Sequence, residues 1–148
     1  MLFTDQLNNI IDLPNFPKRI ISIVPSQSEL LWDLGLREEL VGITKFCIHP
    51  QQMFKSVERF GGTKTLNLDK IRALKPDVII GNKEENEQSQ ILELQKEFPV
   101  WMSDIFTLQD ALQMIEGIGA LVNKTQQAQT IKSIKPRACF FIIRALSF

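Results

Sequence analysis

The stretch Asn67-Leu68-Asp69-Lys70-Ile71-Arg72-Ala73-Leu74-Lys75-Pro76-Asp77-Val78-Ile79-Ile80 decides the fold of this chain. Asn67 is a helix-capping residue type, because its side-chain oxygen can accept from amides of the first turn. Leu68, Ile71 and Leu74 then recur at helical spacing and share one face. Asp69 suits the positive end of that helix. Val78-Ile79-Ile80 follows as a short apolar strand.

The same alternation extends outward in both directions. Toward the N-terminus, residues 57–60 form a strand stopped by Gly61-Gly62, residues 50–56 hold a helical turn, and residues 40–44 form another strand. Ser26-Gln27-Ser28-Glu29 has the form of a capping box, so a helix is expected from there through Leu30, Leu31 and Leu34, ending at Gly35. Residues 19–24 are a β-branched run without polar alternation, as in a strand buried on both faces, and Pro25 stops it. Residues 3–13 read as a hairpin turning at Asn8-Asn9. Toward the C-terminus, residues 84–97 are a polar helix with Ile91, Leu94 and Phe98 inward, and residues 100–102 are a strand. Thr107 caps a helix whose stripe is Leu108, Ala111, Leu112, Ile115, Ile118 and Val122, with Asn123 at its end. A polar helix over 126–135 and a last strand over 138–143 complete the chain.

Short apolar strands alternating with helices make an α/β fold, here a Rossmann-like unit with a mostly parallel sheet. Ligands bind such sheets at the carboxyl ends of the strands. The loops at 25–29, 44–50, 61–66, 81–86 and 103–107 are therefore the ones to watch.

The totals exclude several functions. With 148 residues, 17 basic and 17 acidic side chains and 44% apolar residues, the chain has the composition of an ordinary globular domain. All the acids lie at or before Glu116, and Lys124, Lys132, Lys135, Arg137 and Arg144 follow it. That scatter lacks the concentrated basic excess of a nucleic-acid binder. Cys47 and Cys139 permit at most one disulfide. The chain contains no G-x-G-x-x-G, Walker A, G-x-S-x-G or Cys-x-x-Cys motif. His49 is the single histidine, which excludes a multi-histidine zinc site. No catalytic or protein-held metal site and no cofactor is expected.

Residues 17–26, Pro17-Lys18-Arg19-Ile20-Ile21-Ser22-Ile23-Val24-Pro25-Ser26, resemble the opening strand of periplasmic binding proteins with a helical backbone. These include receptors for vitamin B12, ferric siderophores and haem. Gly61-Gly62-Thr63 and the pattern N-L-acid-x-I-x-A-L-K-P-D-hydrophobic over 67–78 carry the resemblance further, and it covers about residues 3–128. It implies two α/β lobes joined by a long helix, with the ligand between them. On that reading residues 1–122 are the N-terminal lobe. Residues 123–148 are an interlobe helix remnant and the first strand of a second lobe that is largely missing. The implied activity is capture of a metal chelate, cobalamin or a ferric siderophore, for an ABC permease, by a monomer that is not an enzyme. The residues 1–6 lack a signal peptide, so the location is periplasmic or cell-envelope if the sequence is a mature form and cytoplasmic if Met1 is native. Two other readings stay open: a fragment without independent activity, and an enzyme or sensor on the same scaffold.

The resemblance also proposes site residues. Asp69 matches the permease-docking carboxylate, and equally suits a plain helix first turn. Ser26 and Gln27 fall on the cleft floor, although Ser26 and Glu29 can cap each other instead. Phe46, Cys47 and His49 follow the second strand, where Cys47 and His49 could ligate a metal together, or His49 lines the cleft, approaches a chelated metal or simply packs. Thr63 stands where the B12 receptor carries an aromatic platform. Lys64 suits ligand carboxylates or solvent. Lys83, Glu84 and Asp104 fit a cleft rim, and fit helix starts equally well.

Overall fold

The computed structural model describes residues 1–134. The strand expected over 138–143 lies outside the described residues. A hairpin of β1 (Leu2–Thr4) and β2 (Ile10–Asp12) opens the chain, with Asn8 at φ 64° in its turn. Asn tolerates that left-handed conformation better than most residues. Five strands follow: β3 (Ile20–Ser22), β4 (Leu40–Ile43), β5 (Glu58–Arg59), β6 (Val78–Asn82) and β7 (Val100–Ser103). They pair in the order β5-β4-β3-β6-β7, all parallel.

The sheet is covered on both sides, which is why its strands lack polar alternation. Ile20, Val78, Ile80 and Trp101 pack into one core with α1 (Pro25–Asp33), α2 (Gln51–Ser56), α5 (Leu108–Leu121) and α6 (Thr125–Ile134). Ile21, Ile79, Val100 and Met102 pack into a second core with α3 (Leu68–Leu74) and α4 (Gln88–Gln95). Together the layers form the expected α/β fold.

Two helix starts differ from the sequence reading. The first turn at 26–29 is not a capping box. Pro25 occupies the first helical position, Val24 is the N-cap, and no side chain caps the helix. Proline fits there because its fixed φ suits the helix and its missing N–H would be unpaired anyway. Ser28 is drawn inward instead, to Ser22 Oγ at 2.7 Å and the Val24 carbonyl at 3.0 Å. The second difference is α4, which begins at Gln88 rather than near 84. Asn82 Oδ1 accepts from the amides of Glu84 and Glu85, which makes a turn of that segment.

The other two caps form as read. Asn67 accepts from Lys70 N, and Thr107 and Asp110 make a reciprocal capping box. Thr107→Ala should cost about 1 kcal/mol in urea unfolding. The amides of Phe106 and Thr107 hold the Asp110 carboxyl below the usual carboxylate range. A depressed folded pKa stabilises above the unfolded value, and the benefit is lost as pH falls through the folded one. Asp110→Asn should therefore destabilise at pH 7, and the difference from the parent chain should vanish in acid; unfolding curves at both pH values check this.

Candidate functional site

The carboxyl ends of all five strands meet at one edge of the sheet, and buried amides tie their loops together. Asn86 Nδ2 donates to the carbonyls of Ile23 and Thr63, both at 3.0 Å, while its Oδ1 accepts from Asn82 N. One side chain thus links the loops after β3, β5 and β6. Gln27 Nε2 reaches the Gly81 carbonyl and Ser103 Oγ, and Asn82 Nδ2 also donates to Ser103 Oγ. Lys45 N donates to the Gly61 carbonyl and Lys83 N to that of Ser103. Gly61, at φ 112°, needs its missing Cβ, which would stand 2.8 Å from the Thr65 carbonyl oxygen.

This scaffold sorts the predicted site residues into two sets. Gln27 is 1% exposed and Thr63 is buried, so both sit beneath the edge and hold its loops rather than face outward. Ser26 is half-buried on the first turn of α1. Phe46 is 55% exposed, its ring leaning over Gly62, with Lys45 Nζ 5.2 Å from the ring centroid. Ile48 and His49 are exposed beside it. Lys64 is exposed and anchored to the Glu84 carbonyl at 2.7 Å. Lys83 and Glu84 are exposed, and Lys83 Nζ lies 4.0 Å from Asp104 Oδ2. The edge therefore offers one apolar and cationic side, around Phe46 and Lys64, and one mixed-charge side at Lys83, Glu84 and Asp104. Burial raises the Glu85 carboxyl above its usual range, with the Lys64 ammonium opposing.

The sequence pattern does not single out Phe106. It is 67% exposed in the loop after β7. An aromatic between strand and cap is a weak signal by itself, since either core or surface accepts it. Asp69, with its side chain 96% exposed, stands on the first turn of α3, 3.1 Å from Arg72 Nη1.

Cys47 and His49 do not converge. Cys47 Sγ is buried, 3.2 Å from Ser28 Oγ and 3.2 Å from Thr44 Oγ1, whereas His49 is exposed. Among the described residues no three His, Cys, Asp or Glu side chains are grouped to hold a metal ion. Burial pushes the Cys47 thiol up, with the Ser28 and Thr44 hydroxyls partly opposing. In a Cys139→Ser background the native chain should not react with a thiol reagent at pH 8, and should react at once in denaturant.

The sequence profile of the family described as periplasmic binding protein matches residues 20–133. The chain belongs to that family. The chain is 30% identical to YvrC of Bacillus subtilis, an uncharacterized ABC transporter substrate-binding lipoprotein, over 88% of the chain and 43% of the relative. It is 33% identical to the vitamin B12-binding protein of Vibrio cholerae, over 70% of the chain and 38% of the relative. Its fold matches that of the siderophore-binding protein BauB, solved with acinetobactin and ferric iron. The TM-score is 0.78 and the identity 21%, over 90% of this chain and 49% of that one. The chain thus spans less than half the length of the relatives it matches. The loops at 44–50, 61–66 and 81–86 all fall inside the matched segment.

Proposed function

We propose that this chain supplies one wall of the binding cleft of an ABC-importer substrate-binding protein. Its cargo is a metal chelate, cobalamin or a ferric siderophore. The observation that carries the reading is the loop edge itself: Phe46, Ile48 and Lys64 stand exposed there, the loop of Lys64 tied by Asn86 through the Thr63 carbonyl and the loop of Phe46 joined to it by Lys45 N on the Gly61 carbonyl. Aromatic and aliphatic surface suits the organic body of a chelate, and a few placed polar groups orient it. The metal arrives within its chelate as cargo. Two relatives support the setting, since one is named as an ABC substrate-binding lipoprotein and one as a vitamin B12-binding protein.

In this reading His49, Thr63, Lys83, Glu84 and Asp104 belong to or beneath the cleft rim, with Ser26 and Gln27 below it. Asp69 is a docking carboxylate for arginines of a permease, because an exposed carboxylate accepts a guanidinium fork. The setting is the cell envelope, as for the lipoprotein relative.

A thermal-shift series tests the proposal, using cyanocobalamin, a ferric hydroxamate, a ferric catecholate and haem. One chelate should raise the melting temperature saturably, because a ligand that prefers the native state stabilises it. Phe46→Ala and Lys64→Ala should each weaken that binding about tenfold. A cooperatively melting chain that none of the four stabilises would sink the reading.

A further inference from the structure

We infer that the cargo is a chelate whose iron-binding oxygens sit on aryl rings, as in a catecholate or phenolate, and that Lys45, Phe46 and Gly62 select it. The inference rests on the chelate reading above and narrows it. Gly62 is a glycine without a backbone reason. Only Gly35 and Gly61 among the glycines hold a positive φ. An alanine at 62 would restrict the unfolded chain and so favour the fold. What stands in its way is an exposed ring. A Cβ on residue 62 would lie 3.2 Å from Phe46 Cε2, 3.7 Å from Lys45 Cε and 4.0 Å from Phe46 Cζ. The far edge of the Phe46 ring thus rests on a buried residue that has no side chain.

Lys45 completes the arrangement, with Nζ over the ring at 5.2 Å from its centroid. One edge of the ring is on Gly62 and one face is under the ammonium, yet the residue is 55% exposed, so the other face is open to solvent. The backbone beneath is held, because Lys45 N donates to the Gly61 carbonyl at 2.8 Å.

Electrostatics choose the occupant. The face of a phenyl ring is negative and by itself repels an electron-rich arene. An ammonium on the opposite face offsets that charge, so the open face accepts an aryl ring bearing anionic oxygens, in offset stacking. Lys45 is available for this, since among the described residues its ammonium makes no ion pair. Lys64 and Lys83 already have partners, the Glu84 carbonyl and Asp104. A corrinoid or an alkyl hydroxamate brings this platform no anionic arene.

Chelates that separate ring from charge test the inference by titration calorimetry. A ferric tricatecholate has both. A ferric tris-benzohydroxamate has rings without charge, ferric citrate has charge without rings, and a ferric alkyl trihydroxamate has neither. Cyanocobalamin completes the series. The tricatecholate should bind about tenfold more tightly than any other. Lys45→Met keeps the stem and removes the charge; it should weaken the tricatecholate about tenfold and leave the tris-benzohydroxamate unchanged. Gly62→Ala should tip the ring and weaken the tricatecholate about tenfold, while urea unfolding shows a chain at least as stable as the parent. If any other chelate binds as tightly as the tricatecholate, or if either variant binds it like the parent chain, the inference is overturned and the chelate reading stands. A chain that binds none of the series loses both.

Discussion

Asp5→Ala is expected to lower the stability of the chain by about 3–5 kcal/mol, a large share of the roughly 5–15 kcal/mol of an ordinary domain. The Asp5 side chain is buried, and it accepts from Leu7 N at 2.9 Å, Asn9 N at 2.8 Å, Asn9 Nδ2 at 3.1 Å and Met102 N at 3.0 Å. The first three fix the hairpin turn, and the fourth clamps that turn onto β7. Gln6 reinforces the clamp, accepting from Asp104 N and donating to the Asp110 carbonyl. Without the carboxylate, Met102 N is left buried and unpaired. Asp5→Asn should fare nearly as badly, because its NH2 would face other donors. Urea unfolding gives the magnitude, and amide exchange at Met102 shows whether the clamp has opened. A loss under about 1 kcal/mol would show that the hairpin docks by its apolar side chains alone.

Asn86 should show the second large effect, coupled to binding. Asn86→Ala removes two donors from the carbonyls of Ile23 and Thr63 and an acceptor from Asn82 N, for an expected loss of about 3–4 kcal/mol. Three loops of the edge lose their common tie, so any chelate that binds there should also bind more weakly. Asn86→Asp gives a sharper result. Its size is nearly unchanged, but at neutral pH it sets a carboxylate against two carbonyl oxygens. That environment raises the folded pKa of the new carboxyl, so the variant should gain stability as pH falls and the acid regains a donor. Unfolding at pH 7 and at pH 4.5 distinguishes the two states. A variant equally stable at both would show that the Asn86 donors contribute nothing.

The contrast between what was legible and what was not follows sequence distance. Asn67 and Thr107 were legible as caps because their partners, Lys70 and Asp110, are three residues away. The β-branched run at 19–24 announced a strand buried on both faces, and β3 within it is buried at every position. At the helix start at 26–29 two local signals compete, and Pro25 at the first helical position overrides Ser26. The polarity of residues 84–87 suits a helix, yet α4 starts only at Gln88. The side chain of Asn82 turns them, and Asn86 is drawn toward Ile23, 63 residues earlier. Asp5 gave no sign of its role, since its deciding partner lies 97 residues away. In the candidate site, the loops were legible from topology and the direction of each side chain was not. Gln27 and Thr63 turn inward, and Phe106 turns out.

The strand order carries a consequence for how the chain is made. β3 is synthesised first of the five, yet it sits at the centre of the sheet. Its β4 neighbour arrives soon after, but the other edge waits for β6, whose Val78 pairs with Ile20. Until residues 78–82 leave the ribosome, Ile20, Ile21 and Ser22 present an unpaired edge on a strand that is apolar on both faces. Such an edge is a template for pairing with another chain. Nascent chains halted between about residues 50 and 77 therefore carry this edge, and β6 in its turn exposes one until Val100–Ser103 pairs with it.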